Sequence, residues 1–140
     1  MRSPTWTKIR EILLEELDHP PTILCVGHYM FKGTLCPLSL ACWRLWRATP
    51  GGIVGAAAIT CMPRNQIALM NNEYDARATE KFGRHNAIDG REAITIFIES
   101  LDYLRENWAD LAERSRDEKE LRRPSKLKFY DYPADARVVE

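Results

Sequence analysis

The sequence has no net charge and no long run of apolar residues. Lysine and arginine together number 20 in the 140 residues, as do aspartate and glutamate. A balanced charge provides no long-range attraction to nucleic acid or to an anionic membrane. No stretch approaches the roughly 18 apolar residues that a membrane-spanning helix needs. We therefore expect neither double-stranded DNA nor a membrane as a partner.

The N-terminal segment also lacks the apolar centre of a signal peptide. Acidic side chains stand where that centre would be, and we therefore predict a cytoplasmic protein. In that compartment the cysteines are expected to be reduced thiols that behave as small apolar side chains. The acids are Glu11, Glu15, Glu16 and Asp18, and the cysteines are Cys25, Cys36, Cys42 and Cys61.

Apolar residues recur at helical spacing in three segments that have clear start and stop signals. The first helix is predicted over residues 4–18, the second begins at Pro37 and ends before Thr49, and the third spans residues 64–82. A fourth and longer helix is predicted over residues 90–121. Asp89 followed by Glu92 resembles the capping box that begins a helix.

The β content is predicted to be small. A hairpin is expected over residues 22–36, with Lys32 and Gly33 in its turn. The apolar run over residues 53–61 is too short to distinguish a strand from a buried helix. With a length and composition typical of one globular domain, the sequence predicts a mostly α fold with a minor β-hairpin. We expect a single helical domain over residues 1–123 and a tail over 124–140.

The segment from residue 19 to residue 72 contains no carboxylate, so its basic side chains have no acidic neighbours in sequence. Within it, "WRLWR" places two arginines beside two tryptophans, groups that can stack on a ring and hold a phosphate. The alternative is a partly buried aromatic face edged by arginines. We predict a binding surface for a protein partner or a small anionic ligand, formed by Lys32, Trp43, Arg44, Trp46, Arg47 and Arg64.

Cys36 is the candidate nucleophile of an alternative, enzymatic interpretation. It lies at a predicted helix start, where unpaired backbone N–H groups and the helix dipole lower a thiol pKa. With His85 or His28 as base and Asp89 or Asn86 to orient it, Cys36 would form a Cys-His hydrolase. The signal is weak, because any chain with several cysteines and histidines offers such a set. We therefore favour a binding protein without catalytic activity.

Metal and cofactor motifs are incomplete. A structural zinc site needs four ligands, and Cys25 with His28 is the one closely spaced pair. The glycines over residues 51–55 are not followed by the lysine of a phosphate-binding loop. We predict no cofactor, with a metal at Cys25 and His28 as the alternative.

The C-terminal part of the chain is predicted to make an intermolecular contact. A helix of about 30 residues spans about 45 Å, more than a domain with a radius of gyration of about 14 Å can cover. Its end should project, followed by aromatic residues of the kind that anchor interfaces. We expect a homodimer or a partner contact, unless Pro124 folds the tail back. The interface residues would be Trp108, Phe129, Tyr130 and Tyr132.

Two stretches carry a resemblance to known proteins. "GHYMFKGTLCPLSLA", followed by "IALMNNEYD" and an amphipathic helix, resembles a small family of uncharacterised actinobacterial and phage proteins. The resemblance covers roughly residues 9–104, and Asn72 stands where aspartate is expected. It implies a compact, mostly helical fold and an accessory or inhibitory role in a phage or mobile element, with no reaction attached. The matching positions are Gly27, Gly33, Cys36, Ala41 and Asn71.

Overall fold

The structure is a computed structural model that describes residues 4–108. This part of the chain is mostly helical with a minor β component, as predicted. The helices are α1 (Pro4–Glu16), α2 (Pro37–Trp46), α3 (Ile53–Thr60), α4 (Arg64–Phe82) and α5 (Gly90–Glu106). The strands are β1 (Ile23–Cys25), β2 (Met30–Phe31), β3 (Thr34–Leu35) and β4 (Ala87–Asp89).

The predicted hairpin is partly correct. Strands β2 and β3 pair antiparallel around Lys32 and Gly33, whose φ angles of 48° and 83° suit a tight turn between twisted strands. Strand β1, however, pairs with β4, so that Leu24 lies opposite Ile88. The sequence did not predict β4, because three residues are too few to show a strand pattern.

Helix α5 is the centre of the core. It packs against α4, α1 and β1, and α1 in turn packs against α2. The buried side chains of these helices come from the apolar stripes seen in the sequence. The large side chains that are almost fully buried include Trp6, Ile9, Leu13, Leu38, Ile67, Met70, Tyr74, Ile94, Phe97, Leu101 and Leu104.

Helix α5 begins as predicted. The Asp89 carboxylate accepts a hydrogen bond from the Glu92 N–H at 3.1 Å, whereas the Glu92 carboxylate pairs with Lys81 at 2.9 Å instead of completing a capping box. The helix ends at Glu106, where both the backbone N–H and the side-chain amide of Asn107 donate to the Tyr103 carbonyl. Residues 109–121 of the predicted helix lie outside the described residues.

The start of α5 lies very close to the segment before β1. The Gly90 N–H donates to the Thr22 carbonyl at 2.9 Å, and a Cβ atom on Gly90 would lie 1.8 Å from the Pro21 oxygen. Only glycine therefore fits at this position. The contact fixes β1 against the first turn of α5.

The apolar run that the sequence left open between strand and helix is helix α3. Its alanines favour a helix, and Cys61 ends it in the left-handed conformation with φ 55°. None of the helices in the described part of the chain is long and apolar enough to cross a membrane.

Candidate ligand-binding cavity

A cavity of about 210 Å³ lies between the segment after β1 and the middle of α4. The start of α2 and the first residue of α3 close its other sides. Its described lining residues are Gly27, His28, Tyr29, Cys36, Ile53, Ala68, Asn71, Asn72, Tyr74 and Asp75. We call it the Asp75 cavity.

One face of α4 forms a wall of this cavity. Ala68, Asn71, Asn72 and Asp75 follow one another at steps of three, one and three residues, and helical geometry places such residues on one side. Opposite them, Gly27 has a φ of 83°, which lets the chain turn back after β1. The Gly27 N–H donates to Asp75 Oδ1 at 2.9 Å across this gap.

The Asp75 carboxyl is held in a partly buried position. Burial raises its pKa, while the hydrogen bond from Gly27 and the nearby His28 ring oppose the rise. Its second oxygen, Oδ2, receives no hydrogen bond from any residue between 4 and 108. This oxygen is therefore available to a ligand in the cavity.

Asn71 contributes an unsatisfied donor one turn before Asp75. Its Nδ2 atom is buried and has no hydrogen-bond partner among the described residues. The Asn71 side chain lies close enough to the Tyr29 hydroxyl to oppose the rise that burial causes in the Tyr29 pKa, although no hydrogen bond of good geometry joins them. An unpaired buried donor is costly to a fold, so an acceptor at this place would stabilise the protein.

Tyr74 lines the cavity and belongs to the buried core. The Tyr74 hydroxyl donates to the Cys25 carbonyl at 2.9 Å, and the Tyr74 ring contacts Phe97 edge-on at 5.6 Å between centroids. Burial raises the Tyr74 pKa far above its usual range. Tyr74 thus connects α4 to β1 and stays protonated.

Cys36 lines the cavity but is not activated. It is the N-cap of α2, as predicted, and its sulfur accepts a hydrogen bond from the Ser39 N–H at 3.3 Å. The residue is only 3% exposed, and burial raises its pKa. The predicted lowering of this pKa is therefore wrong, because desolvation of the thiolate outweighs the helix N-terminus.

Only one of the two predicted bases shares this cavity with Cys36. His28 lines it, and its ring stacks on Phe31 at 4.6 Å between centroids. His85 and Asp89 are not among the described lining residues, and the Asp89 carboxylate is used as the N-cap of α5. The structure therefore does not bring the predicted set of Cys36, His85 and Asp89 together at this cavity.

The predicted basic surface lies elsewhere, and it is partly neutralised. Arg44 pairs with Glu16 at 2.8 Å and lies 3.9 Å from Glu15, because α1 packs against α2. Arg47 lies over the Trp43 ring at 5.6 Å, and Trp43 is 44% exposed.

The remaining members of that surface are also apart from the Asp75 cavity. Lys32 lies over the ring of its neighbour Phe31 at 5.4 Å, Trp46 packs against the core, and Arg64 is exposed at the start of α4. The described residues that line the cavity include no lysine or arginine.

The alternative metal pair and the predicted interface residue Trp108 have structural roles. The Cys25 thiol is buried, donates to the His28 carbonyl at 3.1 Å, and has a pKa that burial raises to about 12. Within residues 4–108 no group of three or more potential ligands could hold a metal. Trp108 is 7% exposed and packs edge-on against Trp6 at 6.0 Å, so it belongs to the core. The other predicted interface residues, Phe129, Tyr130 and Tyr132, lie outside the described residues.

Sequence reasoning missed Asn71, Asp75 and Tyr29 as residues of the site. Asp75 lies in a stretch that shows no calcium-binding pattern, and its partner Gly27 is 48 positions away. The available signal was the spacing of Asn71 and Asp75, which places two polar side chains together on a helix with an apolar face.

Comparison with protein-family models, curated proteins and solved structures finds no match to this chain.

Proposed function

We propose that the protein binds a small polar molecule in the Asp75 cavity and acts as a binding protein. The supporting observation is the pairing, in one cavity, of a carboxylate oxygen without a partner and a buried amide donor without a partner. Groups of this kind fix the orientation of ligands in otherwise pre-formed pockets. A phage or mobile-element setting, implied by the resemblance, stays a prediction.

The charge and size of the cavity restrict this ligand. Pockets for drug-sized molecules typically have volumes of about 300–1,000 Å³, and this cavity has about 210 Å³. Asp75 would repel an anion, and no described lining residue supplies a compensating positive charge. We therefore favour a small neutral or cationic molecule here, and not the anionic ligand suggested by the basic segment.

Thermal unfolding with a panel of small molecules tests the proposal. The panel would contain nucleosides, free amino acids, polyamines and monosaccharides, each measured with the wild type, Asp75→Asn and the control Glu80→Gln. A ligand at 100 times its Kd stabilises a fold by about 2.7 kcal/mol, which raises the melting temperature by several degrees. We expect such a shift with the wild type and with Glu80→Gln, an exposed acid on the same helix, and its loss with Asp75→Asn. No shift with any probe would contradict the proposal.

The Cys36 hydrolase is the weaker interpretation, and alkylation rates separate the two. Cys61 is the one cysteine that is not buried, whereas burial raises the pKa of Cys36. With iodoacetamide near neutral pH we expect Cys61 to react first and Cys36 to react at least about tenfold more slowly. Mass spectrometry of the labelled peptides would show the order. A Cys36 that reacts fastest would favour the hydrolase.

A protein contact at the exposed Trp43 and Arg47 is the second candidate. It is favoured by the large exposed indole with a guanidinium group above it, since tryptophan and arginine are frequent interface anchors. Light scattering at tens of micromolar would compare the wild type with Trp43→Ala. We expect self-association that the substitution reduces, and two monomeric proteins would contradict this candidate.

A further inference from the structure

We propose that the ligand of the Asp75 cavity carries the base-pairing edge of guanine, as a free base or a nucleoside. This inference rests on the binding function proposed above and adds the chemical class of the ligand.

The side chains of Asn71 and Asp75 on α4 offer a hydrogen-bond donor beside hydrogen-bond acceptors. Asn71 and Asp75 are four residues apart, so their side chains are neighbours on the helix surface. Asp75 offers carboxylate oxygens, of which Oδ2 is without a partner in the described part of the protein, and Asn71 offers the buried Nδ2 donor. The ligand must therefore present N–H donors beside an acceptor.

Guanine presents this pattern on one edge. Its exocyclic amine and ring N–H are adjacent donors that suit a carboxylate, and its carbonyl oxygen beside them suits an amide N–H. Hydrogen bonds to a charged group are stronger than those between neutral groups, so the two donors on Asp75 would supply most of the selectivity. Adenine offers one exocyclic amine in this region and would leave part of the carboxylate unused.

Purely cationic ligands satisfy only half of the site. A guanidinium or ammonium group can donate to Asp75, but it has no acceptor for Asn71 Nδ2. That buried donor would remain unpaired, which costs affinity. The Asn71 group is thus the observation that favours a guanine-type ring over an amine.

The other lining residues suit a flat ring without a phosphate. Tyr29 and His28 supply aromatic rings, on which bases stack. Ala68 and Gly27 are small and leave room beside the polar groups. Because no lysine or arginine occurs among the described lining residues, a phosphate would gain no charge partner and would be repelled by Asp75.

Isothermal titration calorimetry with guanosine, inosine, adenosine and guanosine monophosphate tests the inference. Inosine lacks only the exocyclic amine, and we expect it to bind roughly tenfold or more weakly than guanosine, as is typical of one lost charge-assisted hydrogen bond. Adenosine and the monophosphate should also bind more weakly than guanosine. This comparison uses the unmodified protein and needs no variant to fold.

Two variants and two controls assign the selectivity to the named groups. Asp75→Asn and Asn71→Asp should each weaken guanosine binding roughly tenfold or more, because each reverses or removes a hydrogen bond to the base. Glu80→Gln and Asn86→Asp make the same chemical changes at exposed positions and should leave the Kd unchanged. Circular dichroism of each variant confirms that it is folded.

The results separate the inference from the proposed function. Equal affinities for guanosine, inosine and adenosine, or no binding of guanosine, would overturn the guanine assignment. If another molecule of the thermal-unfolding panel then shows a shift that Asp75→Asn abolishes, the Asp75 cavity remains a binding site for a different ligand. If no molecule does, both proposals fail.

Discussion

The Asp75 cavity and the basic face of α2, formed by Arg44 and Arg47, show how differently charge is used in two parts of this protein. The basic face comes from a segment without acids, yet α1 brings Glu16 to within 2.8 Å of Arg44. The cavity is lined largely by residues of the same segment, and it receives the carboxylate of Asp75 from beyond that segment's end. Charge in the linear sequence therefore did not show where either surface would be positive or negative.

The two regions also differ in whether their polar side chains have hydrogen-bond or ion-pair partners. On α2, Arg44 has an ion-pair partner and Arg47 lies over Trp43. In the cavity, Asp75 Oδ2 and Asn71 Nδ2 have no partners within the described residues. Buried polar groups in proteins are normally paired, so the buried Asn71 Nδ2 marks a place where an acceptor on a ligand would contribute most.

Breaking the contact between Gly90 and Pro21 should disrupt the cavity more than the basic face. In Gly90→Ala the new Cβ would meet the Pro21 oxygen at 1.8 Å, which forces β1 away from α5. Overpacking against backbone that has no room to move costs about 3 kcal/mol or more. Denaturant unfolding would measure the loss. Gly51→Ala is the control, because nothing lies within 4 Å of a Cβ there, and an equal effect of both substitutions would contradict this account.

Removing the Tyr74 hydroxyl should weaken the connection between α4 and β1 beside the cavity. Its effect on stability should be smaller than that of Gly90→Ala. Tyr74→Phe keeps the ring against Phe97 but leaves the Cys25 carbonyl without its 2.9 Å hydrogen bond. We expect a loss of about 1–1.5 kcal/mol in the free energy of unfolding. Tyr103→Phe, at an exposed tyrosine on α5, should change stability by less than about 0.5 kcal/mol. Equal losses would show that the buried hydrogen bond contributes nothing.

Neutralising Asp75 should stabilise the protein at neutral pH while removing ligand binding. Burial raises the pKa of this carboxyl in the folded state, so the folded protein holds its proton more tightly than the unfolded chain. The resulting stability is fully present below the unfolded pKa of about 3.9 and is lost as the pH rises through the folded pKa. Asp75→Asn keeps an acceptor for Gly27 and should gain about 0.5–1 kcal/mol at pH 7.

The pH dependence of unfolding checks this sign. The advantage of Asp75→Asn over the wild type should be present at pH 7 and should shrink below about pH 4, where the wild-type carboxyl is protonated in both states. A variant that is less stable than the wild type at pH 7 would contradict the argument. Such a result would mean that the charged carboxylate stabilises the cavity.

Neutralising Glu16, the α1 acid that pairs with Arg44 on α2, should lower the stability of the protein, whereas neutralising Asp75 should raise it. This should be the smallest of the four effects. Glu16→Gln removes the 2.8 Å ion pair with Arg44, which is partly exposed, and such pairs contribute about 0–1 kcal/mol. We expect a loss of stability smaller than that of Tyr74→Phe, and we expect it to disappear at high salt. Glu11→Gln, at another exposed acid of α1, should show no change. A gain in stability from Glu16→Gln would remove the contrast between the two regions.

The sequence by itself determined α1, α2, α4 and α5 and where each of them begins, whereas it left α3 open between strand and helix. Apolar spacing and local start and stop signals located α1, α2 and α4, because a helix repeats every 3.6 residues and its caps act within one turn. The signals are Pro4, Pro37 and Gly83. The same local chemistry located the turn at Lys32 and the N-cap at Asp89. These features depend on neighbours a few residues away, which a sequence pattern records directly.

Only the tertiary structure decided the site. Three contacts join residues that are far apart in the chain. They are the pairing of Leu24 with Ile88, the hydrogen bond from Gly27 to Asp75 and the ion pair of Arg44 with Glu16. Burial likewise reversed the expected pKa of Cys36, since desolvation depends on the helices packed around a thiol and not on its position in one of them. Local patterns contain no information on such packing, because the distance between two residues in space is set by the whole fold.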